Sequence, residues 1–308
     1  MEIDQFSADW PNGKIGYCAI IGRPNVGKST FMNQILQYHL AAVSERPHTT
    51  RKRWLGIFSD DEKQIIFTDT PGVHDVMNRM HEEMSKGVVG SIEKNDVILV
   101  ICDAMREFGD EDQMVCDLLK DIKKPIVLAV NKTDAAQKKQ IRDIKLKYLK
   151  QLGKKTPVFE ISAKHGNKTD DILGAIADKL PEGPYLYPKD QVADAYLRDI
   201  AEEVIREKAN HEVYKEVPHS LAIKIDRWNE TDTKIIIDAT IFVERTSQKQ
   251  ILIGANGKNI DRIIKASREQ LHKDIEKFIE LKVFVKVAAD WQNKGTFLKD
   301  LGLVNAED

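Results

Sequence analysis

The segment that most limits what this chain can fold into is Gly22-Arg23-Pro24-Asn25-Val26-Gly27-Lys28-Ser29, set between an apolar run at 15–21 and a stretch of helical period at 29–38. A GxxxxGK[ST] segment that closes a strand and opens a helix is a phosphate-binding loop. Its glycines let backbone N–H groups turn inward around an anion, at the positive end of the next helix. In such a loop Lys28 reaches the β- and γ-phosphates of a nucleotide and the Ser29 hydroxyl ligates Mg²⁺, with Thr30 next on the helix.

The surrounding pattern agrees with that demand. Further apolar runs stand at 64–69, 97–103, 125–131 and 158–162, with polar helical stretches at 78–93, 110–120, 140–152 and 170–180 between and after them. Nearly continuous apolar runs read as parallel strands buried on both faces. Their alternation with helices predicts an α/β domain with a doubly wound, mostly parallel sheet of the P-loop NTPase kind. One more strand near 52–59, with the next strand close behind it, predicts an antiparallel hairpin at the sheet edge.

A phosphate loop alone does not choose a base. Asn131-Lys132-Thr133-Asp134 does. It ends a predicted strand, where nucleotide sites in open sheets collect. The Asp134 carboxylate can accept both the ring N–H and the exocyclic amine of guanine, whereas adenine would leave it unpaired. Ser162-Ala163-Lys164, after the last strand, stands where it would back the base. Asp69-Thr70-Pro71-Gly72 offers a carboxylate to Mg²⁺ and a glycine N–H to the γ-phosphate. In Arg46-Pro-His-Thr49-Thr50-Arg51 one threonine would complete the Mg²⁺ shell. Spacing does not choose between Thr49 and Thr50, and Thr50 is preferred. Segments of this kind order on γ-phosphate and release on hydrolysis. Val73 comes after Gly72, at the place where a glutamine can orient the attacking water. Valine cannot do so, so slow intrinsic turnover is expected. Asn25 is a candidate ligand for an activating monovalent cation such as K⁺.

At 308 residues, 42% hydrophobic and 31% charged, the chain has room for two packed domains and is not of disordered composition. Cys18, Cys102 and Cys116 lack the spacing of a zinc site or a disulfide framework and read as core residues. The N-terminal residues lack the apolar stretch of a signal peptide, and no apolar run approaches a membrane span. Pro181-Glu-Gly-Pro184-Tyr-Leu-Tyr-Pro188 interrupts the pattern and reads as a linker. Beyond it lies a smaller α+β unit, with a helix near 191–209, strands near 220–228 and 233–243, a short strand at 250–253, a basic helix at 259–278 and a strand at 282–288.

Within that unit, Ile251-Leu-Ile253-Gly254-Ala255-Asn256-Gly257-Lys258 resembles the GxxG loop of a KH domain. Two glycines let the backbone approach a nucleic-acid backbone at a helix start. Ile251, Ile253, Ile260 and Ile263 would floor a groove for single-stranded bases. Gln248, Lys249, Lys258 and Arg262, with Lys265 and Arg268, would surround it. Lys273, Lys277, Lys282, Lys286, Lys294 and Lys299 extend the positive charge, so a chain of formal net charge −2 can still bind RNA. Because Ala255 and Asn256 are not basic, phosphate gripping falls to Lys258 and the backbone amides.

Taken together, these segments resemble the bacterial Era GTPase family over nearly the whole chain. Besides the nucleotide motifs, the likeness includes Glu216-Val-Pro-His-Ser220, Val243-Glu-Arg-Thr-Ser-Gln-Lys249, Val285-Lys-Val287, Trp291 and Leu301-Gly-Leu303. A hydrophobic residue after DxxG is usual there, while His48 stands where the family commonly has glutamine. The resemblance implies a Ras-like G domain at 1–180, a linker at 181–192 and a type II KH domain at 193–308. It implies binding of GTP and GDP with Mg²⁺, and binding of the 3′ end of 16S ribosomal RNA during assembly of the small (30S) ribosomal subunit. It further implies a cytoplasmic protein with a peripheral inner-membrane fraction. Nothing in the sequence demands a dimer, and a monomer is expected.

Overall fold

The computed structural model describes residues 11–40, 54–70, 72, 79–212 and 221–303. Its main division falls between Asp194 and Ala195. In the first unit, β1 (Asn12–Ile21), β2 (Trp54–Ser59), β3 (Lys63–Asp69), β4 (Val97–Asp103), β5 (Ile126–Asn131) and β6 (Val158–Glu160) lie side by side in the order β2-β3-β1-β4-β5-β6. All neighbours are parallel except β2 and β3, the expected edge hairpin. Every residue of β4 is buried, as a central strand covered on both faces requires.

The helices are α1 (Lys28–Leu36), α2 (Arg79–Lys94), α3 (Asp110–Leu119), α4 (Lys138–Leu152) and α5 (Thr169–Ala177). Val88 and Ile92 of α2 pack with α3 and α4 over Ala19, Ile21, Ile98, Val100, Leu128 and Val130. Phe67 shares the opposite face with Cys18 and meets Phe31 of α1 edge-on at 6.2 Å. All three cysteines are buried and unpaired, as core residues should be, and burial pushes the Cys116 thiol up to about 12.

The expected linker is not a free connector. β7 (Glu182–Pro184) pairs antiparallel with β1, and Tyr185 is fully buried. The buried Gln64 side chain holds the next residues. Its Oε1 accepts from the Leu186 and Tyr187 amides at 2.8 and 3.0 Å, and its Nε2 donates to the Tyr187 carbonyl at 2.8 Å. Farther on, the Ile57 N–H donates to Val192 O and the Asp194 N–H to Leu55 O, so 192–194 lies along β2. Prolines are tolerated here because the segment lies at a sheet margin, where a missing N–H costs little.

The second unit contains α6 (Leu197–Glu212), β8 (Ala222–Glu230), β9 (Lys234–Val243), α7 (Thr246–Ile253), α8 (Lys258–Ile275), β10 (Phe278–Val287) and α9 (Gly295–Asp300). Its sheet runs β10-β9-β8, with β9 and β10 parallel and joined through α7 and α8. This α-β-β-α-α-β order is the type II KH arrangement expected from the sequence. One element differs. The expected strand at 250–253 is the end of helix α7. A short apolar run does not distinguish strand from buried helix. Here Gln248 closes the helix start by accepting from the Glu244 and Arg245 amides, and Gly254 stops it with φ 72°.

A nucleotide site on the carboxyl edge of the sheet

Each nucleotide motif leaves the carboxyl end of a strand. The phosphate loop succeeds β1, Asp69 ends β3, Asn131 ends β5 and Ser162 succeeds β6. This is where ligands bind in open α/β sheets. The loop's shape depends on its glycines at two points. Gly27 has φ 101°, and a Cβ there would lie 2.3 Å from Asn131 Nδ2. A Cβ on Gly22 would lie 2.4 Å from the Ile101 carbonyl.

The side chains of NKxD bind the loop directly. Asn131 Nδ2 donates to Val26 O at 2.7 Å while its Oδ1 accepts from the Ala163 amide at 2.9 Å. Lys132 donates to Asn25 O at 2.8 Å and to Asp103 Oδ2 at 2.7 Å. Phosphate loop, NKxD and the Ser162-Ala163-Lys164 segment are thus one hydrogen-bonded assembly. Asp103 does not stand out in the sequence; its only signal there is an acid closing an apolar strand run. Thr133 donates to Ile161 O at 2.8 Å, which leaves Asp134 at the rim. The Ser162 hydroxyl, then His165 and Lys164, hold the Asp134 carboxyl below the usual range, so it is an anion ready to accept hydrogen bonds.

On the phosphate side, Lys28 donates to Gly22 O at 3.0 Å and to Arg23 O at 2.9 Å. Burial pushes its ammonium down to about 8, against the pull of Asp69 and Glu111. Ser29 Oγ donates to Asp69 Oδ2 at 2.9 Å, and Asp69 is fully buried. A hydroxyl beside a buried carboxylate is a hard-oxygen pair that suits Mg²⁺, which binds one or two protein oxygens together with substrate phosphates. Three expected contributors act differently from a direct ligand. Arg23 offers Lys28 its carbonyl, while its side chain turns away to Asp112. Thr70 is buried and donates to Ile20 O at 2.7 Å. Gly72 packs so closely on Pro24 that a Cβ would lie 2.6 Å from its nitrogen. Thr30 is half-buried on α1. Thr49, Thr50, Pro71 and Val73 lie outside the described residues.

In the second unit, Gly254, Asn256 and Gly257 all have positive φ, so the loop between α7 and α8 bends in a left-handed path that glycine permits. Ala255, Asn256, Lys258 and Arg262 are exposed or half-buried, Ile251 is 44% exposed, and Ile253, Ile260 and Lys249 are half-buried. Two expected groove residues serve the fold instead. Ile263 is fully buried in the core, and the Gln248 carbonyl oxygen is taken by the start of α7. Among the described residues, no helix is long and apolar enough to cross a membrane.

Comparison with known proteins agrees with this geometry. Residues 17–132 match the family described as 50S ribosome-binding GTPase, and residues 216–292 match the KH domain family. The chain is 33% identical to an Aquifex aeolicus Era variant solved with GDP and AlF4⁻. The match covers 95% of this chain and 100% of that one, with a TM-score of 0.90. The same identity, coverage and TM-score hold for Era solved with MgGDPNP and nucleotides 1506–1542 of 16S ribosomal RNA. The chain belongs to the Era family, GTPases in which a G domain precedes a KH domain.

Proposed function

We propose that this protein is a GTP-driven timer for RNA binding: it binds GTP or GDP with Mg²⁺, hydrolyses GTP slowly, and couples nucleotide state to binding of 16S ribosomal RNA near its 3′ end during small-subunit assembly. The observation that carries the reading is the joining of the phosphate loop to the guanine motif through Asn131 and Lys132, in a chain that also holds a GxxG unit.

Lys28 supplies positive charge to the β- and γ-phosphates. Ser29, Asp69 and a switch threonine, Thr50 in preference to Thr49, would hold Mg²⁺, which would neutralise phosphate charge. Asn131 keeps loop and base pocket in register, and Asp134, backed by Ser162, Ala163 and Lys164, selects guanine. With Val73 after Gly72 no side chain is assigned as a general base, so catalysis rests on positioning and electrostatics. K⁺ near Asn25 is the candidate activator, and equal turnover in K⁺ and Na⁺ would remove it.

In the KH unit the left-handed loop 254–257 brings backbone amides to the RNA backbone. Lys258 and Arg262 add charge, and Ile251, Ile253 and Ile260 offer apolar contact to bases. A monomer acting in the cytoplasm, with a peripheral fraction at the inner membrane, completes the reading. Sequencing RNA crosslinked to the GTP-bound and GDP-bound protein tests it. Enrichment of the 3′ part of 16S ribosomal RNA in one nucleotide state is expected. Equal recovery in both states would sink the timer, and recovery of no ribosomal RNA would sink the RNA reading.

A further inference from the structure

Arg23 is only 3% exposed although it belongs to the phosphate loop. Its Nη1 donates to Asp112 Oδ2 at 2.8 Å. Asp112 lies in the first turn of α3, is fully buried, and also accepts from the Gly109 amide at 3.0 Å. Its other oxygen accepts from the Tyr148 hydroxyl of α4 at 2.6 Å. Tyr148 is itself fully buried and packs edge-on against Phe108 at 5.2 Å. A chain of three buried polar side chains therefore runs from the phosphate loop through α3 to α4.

Such a chain is a poor device for stability alone. A buried ion pair gives little net stabilisation over apolar residues of the same volume. Arg23 Nε and Nη2 find no hydrogen-bond partner among the described residues, so Asp112 is the group that holds this charge in place. The carbonyl of the same Arg23 accepts one of the hydrogen bonds that hold Lys28 Nζ. Arg23 is only 3% exposed, so a guanidinium without its anchor can reach water only if the loop around it yields, and that loop carries the carbonyl.

We infer that Asp112 and Tyr148 are positioning residues for nucleotide binding: through Arg23 they fix the loop carbonyl that aims Lys28 at the phosphates. The inference rests on the nucleotide reading of the phosphate loop. It gives the α3–α4 side of the domain a direct connection to phosphate affinity.

The test measures GDP and IDP affinity, with melting temperature, for the wild type, Asp112→Asn, Tyr148→Phe and the apolar pair Arg23→Met/Asp112→Leu. IDP lacks the exocyclic amine that Asp134 accepts, so the GDP/IDP ratio reports the base pocket and the shared loss reports the phosphate cradle. Asp112→Asn should weaken both nucleotides about tenfold and Tyr148→Phe about threefold, with the GDP/IDP ratio unchanged. Made in the Tyr148→Phe background, so that no buried hydroxyl is left without its acceptor, the apolar pair should melt near the wild type yet still bind GDP about tenfold more weakly. An apolar pair that restores both melting temperature and GDP affinity would overturn the inference, because the polar chain would then be a stability device only. Loss of the GDP/IDP preference in Tyr148→Phe would overturn it too, by showing general distortion. A wild type that binds no GDP would instead overturn the nucleotide reading on which the inference stands.

Discussion

Asn131 and Val26 are 105 residues apart in sequence and joined at 2.7 Å, the carboxamide of the guanine motif donating to a phosphate-loop carbonyl. The same side chain accepts from Ala163, so one residue ties together three loops that leave three different strands. Asn131→Ala would leave the Val26 carbonyl and the Ala163 amide without partners in a buried place. Each such loss costs roughly 1–3 kcal/mol. The expected result is a lower melting temperature together with GDP affinity reduced by about tenfold or more, read by calorimetry and by nucleotide titration.

Lys28 gives a pH dependence with a definite sign. Burial lowers its pKa to about 8 in the nucleotide-free site, and a bound phosphate chain would raise it again. Below pH 8 the ammonium is already charged and GDP binding needs no proton. Above it, binding must take one up, so affinity falls as pH rises. With a free-site value near 8, GDP should bind about fourfold more weakly at pH 8.5 than at pH 7. Titrations at pH 8.5 in two buffers of different ionisation enthalpy should show proton uptake on binding. For stability the linkage runs the other way. The depressed pKa is a penalty on the nucleotide-free fold that is present below pH 8 and is relieved as pH rises toward the ordinary lysine value.

Two variants around the GxxG loop should differ in what they disturb, the loop's approach to RNA in one and the start of α7 in the other. Gly254 and Gly257 have φ of 72° and 78°, and a Cβ on Gly254 would lie 2.7 Å from Asn259. Gly254→Asp with Gly257→Asp adds charge repulsion against phosphate and should abolish RNA crosslinking. Gln248→Ala should instead cost roughly 1–2 kcal/mol of stability by removing the acceptor at the start of α7, read as a lower melting temperature, with weaker effect on RNA affinity of the folded protein. RNA binding left intact in the double glycine variant would argue against the groove.

Gln64 is the anchor of the segment that leads out of the first unit. Replacing it with leucine keeps the bulk but leaves the Leu186 and Tyr187 amides unsatisfied. A loss of roughly 2 kcal/mol or more is expected. Limited proteolysis should then cut near residues 184–189 under conditions in which the wild type resists.

Much of the fold is legible in the sequence. The strand–helix alternation, the edge hairpin and the order of nucleotide motifs come from local rules, because buried parallel strands and phosphate loops carry strong short-range patterns. The misreadings share a cause. Prolines at 181–188 signal a break, but Tyr185 is fully buried and Gln64, over a hundred residues earlier, holds Leu186 and Tyr187. The apolar run at 250–253 is equally good as strand or helix, and a cap from Gln248 decides it. Gln248 and Ile263 look like RNA contacts by position, yet one is turned to the backbone and the other to the core.

The sequence alone determined that this protein holds a guanine-nucleotide site, because that site is assembled from contiguous segments whose chemistry is local: glycines that bare amides, a lysine, a carboxylate for guanine. It also marked the second unit as a GxxG module. Only the tertiary structure decided what holds the site in shape. Asp103 beneath Lys132, Asp112 and Tyr148 behind Arg23, and Asn131 between two loops come from segments far apart in the chain. A buried polar group must find its partner in space, and the hydrogen bond that satisfies it leaves no periodicity or spacing in the sequence to be read.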